Sequence, residues 1–264
     1  MLTAGIDIGS ITAKAALLQD GKIIGTKITF TGYNAEAAGI KVYEETLAEA
    51  GLDKSAVAKI VSTGYGRNSV KFADRAFTEI LAHAAGAHFV NNKVRTIIDI
   101  GGQDSKAISL DETGKVKNFV MNDKCAAGTG KFLEMMARTL ELEIEDLGPA
   151  SLRAKEKVMI SSMCTVFAES EVISLIAQNK ETPDIIKGLC DSVATRTAAL
   201  VSRVGKEERV MMTGGVAKNV GVVNSLSERL QTDLVLPPEP QIVGAIGAAL
   251  IALERGHPPR PLSE

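Results

Sequence analysis

A chain of 264 residues is longer than one core holds comfortably and points to one large or two medium domains, with two preferred. With 45% hydrophobic and 23% charged residues, and no apolar run near the roughly 20 that a bilayer demands, it does not read as a membrane protein. A formal charge of −2 and 4% aromatic residues supply neither the basic footprint nor the stacking surfaces of a nucleic-acid binder.

The first residues, MLTAGIDIGS, enter an ordered pattern at once and lack the basic and apolar regions of a secretory signal, so a cytoplasmic setting is expected. GIDIGSITAK at 5–14 reads as a strand, a glycine turn and the start of a second strand at 15–18, closed by Asp20-Gly21. Helical spacing of Ala, Ile, Val and Leu predicts a helix over 36–50, followed by a strand at 57–61 and an Ala-rich helix at 76–90. IIDIGGQDSK at 97–106 then repeats the first hairpin, with its second strand at 107–110 and turn residues Thr113-Gly114. Beyond it, helices are predicted at 130–140, 165–179 and 184–204, strands at 158–160 and 209–213, and a helix of small residues at 242–254. HPPRPLSE reads as a frayed tail. The repeat implies a first unit at 1–94 and a second at 95–242, with residues 243–264 free to pack back on the first.

The hairpins carry the chemistry. Asp7-Ile8-Gly9-Ser10 places a carboxylate at the end of a buried strand, then a glycine whose bare backbone lets N–H groups approach phosphate oxygens. Asp7 can hold a magnesium-bound water there; a glycine turn capped by Asp is the plainer reading of one copy. The second copy, with Asp99, turns the pair into a bracket for one Mg-nucleotide. MTGGVAKN at 212–219 is a strand ending in a double glycine that opens a helix, suited to a flat ligand face. VGAIGAA at 243–249 permits close approach to a neighbour, and tight helix packing alone accounts for it. Gly128–Phe132 is not a P-loop, since Cys125 and Phe132 stand where Gly and Ser or Thr are required, and 64–69 lacks the last glycine of a dinucleotide fingerprint. This ordered set resembles the actin/hexokinase/heat-shock ATPase superfamily, which implies a duplicated, ribonuclease H-like α/β fold of two domains with a nucleotide cleft between them.

Three cysteines are too few and too odd in number for a disulfide framework. Cys125 and Cys164 each precede a predicted helix, where partial positive charge favours a thiolate, whereas Cys190 falls on the apolar stripe of 186–204 and reads as core. Two thiols per chain are half the ligand set of a cubane cluster; a zinc staple, or two small residues at helix starts, fits the same spacing. Glu169 and Glu171 read as first-turn partners of a helix dipole, and His83, His88 and His257 as surface or helix residues.

IDIGGQDSK, NDKCAAGTGKFLE, SSMCTVFAESEVIS and MTGGVAKN, with STGYGRNS at 62–69, closely resemble the activator components of 2-hydroxyacyl-CoA dehydratases, a family that includes the ATPase subunits of benzoyl-CoA reductases. The resemblance implies a homodimer with one 4Fe-4S cluster between subunits, held by Cys125 and Cys164 of each. A reduced ferredoxin or flavodoxin would load that cluster, ATP hydrolysis to ADP would gate it, and the dehydratase would accept the electron. Residue by residue, Asp7 and Asp99 are expected at the Mg2+ water shell, with Gly9, Ser10, Lys14, Gly101 and Gly102 around the phosphates. Gln103 or Asp104 is expected at the attacking water, and Gly214, Gly215, Asn219 and Gln241 at adenosine. A benzoyl-CoA reductase-type ATPase and a small-molecule kinase are the rival readings.

Overall fold

The computed structural model describes residues 1–161 and 164–254; the frayed tail and His257 lie outside them. The chain forms two compact units, one of residues 1–92, 113–115 and 241 onward, the other of 93–112 and 116–240.

The first unit is a mixed sheet of β1 (Leu2–Ile8), β2 (Thr12–Gln19), β3 (Lys22–Phe30), β4 (Lys59–Thr63) and β5 (Arg75–Ala76), in the order β3-β2-β1-β4-β5. The first three strands run antiparallel, and β4 and β5 join them in parallel. β1 is buried along its whole length, and its period-two alternation decides where its chemistry points. Leu2, Ala4, Ile6 and Ile8 enter a core with Val42, Tyr43 and Leu47 of α1 (Ala35–Glu49). Thr3, Gly5 and Asp7 face the other way, toward α8 (Val243–Glu254): the Thr3 hydroxyl donates to the Ala249 carbonyl at 2.9 Å, and Gly5 abuts the backbone of Ala245 and Ala249. α2 (Glu79–Val90) lies equally close to α8, because Gly247 meets the Ala82 carbonyl and Gly86 meets that of Val243. The small residues of α8 thus bring one helix backbone against both a strand and a second helix.

The second unit repeats the plan with β6 (Thr96–Ile100), β7 (Ser105–Leu110), β8 (Val116–Asn122), β9 (Val210–Thr213) and β10 (Leu234–Val235), in the order β10-β9-β6-β7-β8. Ile98 and Ile100 of β6 enter a core built with α3 (Gly130–Thr139), α4 (Ile144–Ser151), α5 (Thr165–Ala177), α6 (Thr182–Val204) and α7 (Val220–Leu230), while Asp99 takes the opposite face as Asp7 does.

Several elements differ from the sequence expectation. The strand predicted at 158–160 is irregular and joins no sheet; Val158 and Ile160 are buried against α6, where Gly188 admits the Val158 carbonyl. β3 and β8 are additional strands with half-solvated sides and no apolar alternation, and α4 forms despite Pro149. β4 lies two residues later than predicted, which makes Thr63 its last residue. Replacing Gly247 with Val drives a branched side chain into the Ala82 carbonyl, so a loss of about 1–3 kcal/mol is expected in chemical denaturation.

Candidate nucleotide pockets and thiol centre

Asp7 is 4% exposed at the end of β1, with Lys14 directly across the β1–β2 ladder. Lys14 Nζ stands 3.2 Å from Asp7 Oδ2, so this side chain is neither solvated nor free. The intervening turn, Gly9 to Ile11, is pinned from both sides: Gly9 N donates to the Thr12 carbonyl at 3.0 Å, and the Thr31 hydroxyl donates to the Gly9 carbonyl at 2.8 Å. Ser10 is half-buried in it. Gly64, just after β4, has φ +85 and flanks Asp7 Oδ1, where any Cβ would collide with that oxygen and with the Ile8 carbonyl. On the other side stands Gly244 in the first turn of α8; its absent Cβ would sit 3.1 Å from Asp7 Oδ2 and 3.0 Å from Cε1 of His83. His83 is therefore a buried helix residue, its Nδ1 2.9 Å from the Glu79 carbonyl. Arg67 ties this side together through the Gly64 carbonyl at 3.0 Å and Glu79 at 3.3 Å.

Asp99 repeats the arrangement in the second unit. It is 4% exposed, opposite Lys106 in the β6–β7 ladder, with Lys106 Nζ 3.1 Å from Asp99 Oδ2 and 2.8 Å from Asp104 Oδ2. The Thr213 hydroxyl donates to Asp99 Oδ1 at 2.9 Å, and Gly214, again at φ +85, presses against the Ile100 carbonyl. The turn between β6 and β7 closes by a 2.9 Å bond from Gly101 N to the Asp104 carbonyl. Its carbonyls accept from α3: Gly130 N reaches that of Gly101 at 2.9 Å, and Lys131 N that of Gly102 at 2.8 Å. Gln103 is exposed at the tip.

Of the remaining expected contacts, Gly215 is exposed in a short helical turn at Gly215–Lys218, and Asn219 caps α7 by accepting from Val222 N at 3.0 Å, which leaves its NH2 group for other work. Gln241 belongs to the first unit, apart in sequence from this group. Sequence reasoning did not single out Lys106, Thr63, Gly64, Thr213, His83 or Gly244 for this chemistry. The repeated Thr-Gly at 63–64 and 213–214 was the available signal.

Cys125 is half-buried and lies ahead of α3, as the sequence order predicts, and Thr129 is the residue that caps that helix. Asn122 holds it in place, accepting from Cys125 N at 3.2 Å and donating to its carbonyl at 2.8 Å. It lines a cleft of about 460 Å3 with Lys124, Arg196, Leu200 and Arg203. Cys164 is the exposed N-cap residue of α5. Neighbouring Ser162 and Met163 fall outside the described residues. Glu169 and Glu171 lie past the first turn of α5, so the dipole reading fails for both: Glu169 accepts from the Thr139 hydroxyl at 3.1 Å and Glu171 from Ser161 N at 3.0 Å. Cys190 is fully buried, and burial pushes its thiol up to about 12. His88 is half-buried, its ring against Gly114. Among the described residues, no group of three or more His, Cys, Asp or Glu is placed to hold a metal ion. Only thiolates react with alkylating agents, so labelling of the folded, iron-free protein near about pH 8 is expected to stop at two thiols, Cys125 and Cys164. Cys190 is expected to react after denaturation, as counted by intact mass.

Comparison with known proteins accords with this geometry. The model of the BadF/BadG/BcrA/BcrD ATPase family matches residues 4–252. The activator of lactoyl-CoA dehydratase from Anaerotignum propionicum is 48% identical over 255 residues, 96% of this chain and 98% of that one. The solved activator of the 2-hydroxyisocaproyl-CoA dehydratase from Clostridium difficile, with bound ADPNP, superposes with TM-score 0.91 at 44% identity, covering 96% of this chain and 95% of that one. A ROK family glucokinase from Streptomyces griseus, at TM-score 0.60 and 14% identity over 97% of this chain and 100% of that one, shares the fold alone. Two mixed sheets built on one duplicated plan, the paired Asp-Lys hairpins and the family match over residues 4–252 together place the chain in the BadF/BadG/BcrA/BcrD ATPase family.

Proposed function

We propose that this protein is an ATP-hydrolysing activator, working in the cytoplasm, that delivers a low-potential electron to a 2-hydroxyacyl-CoA dehydratase. The names of its relatives support the acceptor, and the observation that carries the reading is local. Gly130 and Lys131 donate to the carbonyls of Gly101 and Gly102, so the turn of the second phosphate hairpin and the helix that follows Cys125 are one hydrogen-bonded body. A displacement of that turn on nucleotide binding is passed to the Cys125 segment through these two bonds, a shorter route than the chain from Asp99 to Cys125.

Within this reading, the turns at Gly9–Ser10 and Gly101–Gly102 lie along the phosphates and offer them the N–H groups of Ser10 and Gly102, with Lys14 adding positive charge. Asp7 and Asp99 hold Mg2+ through water; when bound, that ion neutralises phosphate charge. Asp104 is committed to Lys106, which favours the exposed Gln103 for orienting the attacking water. Gly214 and Gly215 offer bare backbone, and Asn219 and Gln241 offer amides, to the adenosine of ATP or ADP.

Cys125 and Cys164 suit a 4Fe-4S cluster in donor chemistry, being the two thiols not sealed in the core. Two ligands per chain require a second copy, and α5 carries the apolar surface for one. Val166, Phe167, Ile173 and Ile176 are exposed on it beyond Cys164, which supports a homodimer whose protomers each supply two thiolates. When bound, the cluster supplies one-electron chemistry, loaded by a ferredoxin or flavodoxin. A benzoyl-CoA reductase-type acceptor is the second reading, favoured by 35% identity to a component of the benzoyl-CoA reductase from Thauera aromatica.

Anaerobic purification followed by iron and sulfide analysis, visible absorbance and solution mass tests this. An iron-bearing dimer is expected; zinc without iron, or a monomer, removes the electron-transfer reading. Cys125→Ser is expected to lose iron while keeping nucleotide affinity within about twofold. Asp99→Asn is expected to keep iron while weakening Mg-nucleotide binding about tenfold, as a lost charge-assisted contact implies.

A further inference from the structure

The two Asp pockets differ at the threonine hydroxyl. Each parallel neighbour of an Asp strand ends in Thr-Gly, and in each ladder the threonine is the register partner of the aspartate: Thr63 with Asp7, Thr213 with Asp99. The following glycine has φ +85 in both cases and lies against Oδ1 of the aspartate, so the carboxylates present the same oxygen to the same strand end. Yet the Thr213 hydroxyl donates to Asp99 Oδ1 at 2.9 Å, whereas the Thr63 hydroxyl is buried without a hydrogen-bond partner. Thr63 has no exposed surface. A buried hydroxyl with an open bond is destabilising, and the second unit shows the partner such a threonine takes.

We propose that Thr63 is a positioning residue of the nucleotide site, its hydroxyl held in reserve for Asp7 and closing onto that carboxylate when Mg-nucleotide binds. This rests on the ATPase reading above and adds an asymmetry to it. The Asp99 pocket is locked in advance by Lys106 and Thr213; the Asp7 pocket, with Lys14 on Oδ2 and His83 walling the Gly244 side, is completed by the ligand. Part of the binding free energy is then the relief of the orphaned hydroxyl.

Such a role predicts opposite signs for stability and binding, which a merely structural threonine does not. Thr63→Val removes the orphan, so the nucleotide-free protein is expected to melt at or above the wild-type temperature. Its affinity for Mg2+ plus a non-hydrolysable ATP analogue, by calorimetric titration, is expected to fall about tenfold. Thr63→Ser keeps the hydroxyl and is expected to bind within about twofold of wild type. Thr213→Val breaks an existing bond and is expected to lower the melting temperature without ligand. Wild-type affinity in Thr63→Val, failure of Thr63→Ser to restore binding, or a lowered melting temperature in Thr63→Val matching that of Thr213→Val would each overturn the proposal. Absence of Mg-nucleotide binding in the wild type would instead overturn the ATPase reading on which it depends.

Discussion

An aspartate at the end of a buried central strand, paired with a lysine directly across the hairpin, is the interaction on which each half of this molecule depends. Burying one carboxylate alone is prohibitive, and an opposite charge at about 3 Å in the neighbouring strand makes it tolerable. Antiparallel register supplies that neighbour without any long-range search: in each hairpin the turn sets Asp opposite Lys, in Asp7–Lys14 and again in Asp99–Lys106. Strand alternation then sends the pair to one face and Ile6 and Ile8, or Ile98 and Ile100, into the core on the other. Chemistry and stability are thereby separated on the same few residues. The pairs leave polar oxygens beside bare glycine backbone, which is the environment a charged ligand needs.

The halves have diverged in what supports that plan. In the first unit the carboxylate is walled by α2 and α8, whose glycines allow backbone contact. In the second, α3 is bonded to the hairpin turn itself, and this unit also carries Cys125 and Cys164. A helix whose first N–H groups are spent on a loop carries that loop's displacement. Cys125, held by Asn122, lies just upstream of that helix, while Cys190 is locked in the core with a strongly raised thiol.

Much of this plan was legible along the chain. The echo of GIDIGSITAK in IIDIGGQDSK, the Gly-Gly strand end, the small-residue helix and the core position of Cys190 all follow from local pattern, because strand alternation, glycine turns and helical stripes are written within ten or so residues. The failures share a cause. β3 and β8 lack apolar alternation because one side of each is half-solvated, and the strand expected at 158–160 has apolar residues but no partner edge. Glu169 and Glu171 fall past the first turn of α5 although its start at Thr165 is where the sequence put it, and their partners, the Thr139 hydroxyl and Ser161 N, are supplied by packing.

What the sequence determined by itself was the set of groups: two Asp-Lys hairpins, bare glycines at their turns and strand ends, and two thiols outside the core. What only the tertiary structure decided was which of those groups meet. Thr63 and Thr213 occupy identical words in the sequence, Thr-Gly after a short apolar strand, yet one hydroxyl is bonded to its carboxylate and the other is not. The bonds from Gly130 and Lys131 to the turn at 101–102 likewise join segments that chain order alone gives no reason to pair. Local pattern sets what each strand and helix presents; contacts between elements depend on register and packing distance, which no single stretch of chain contains.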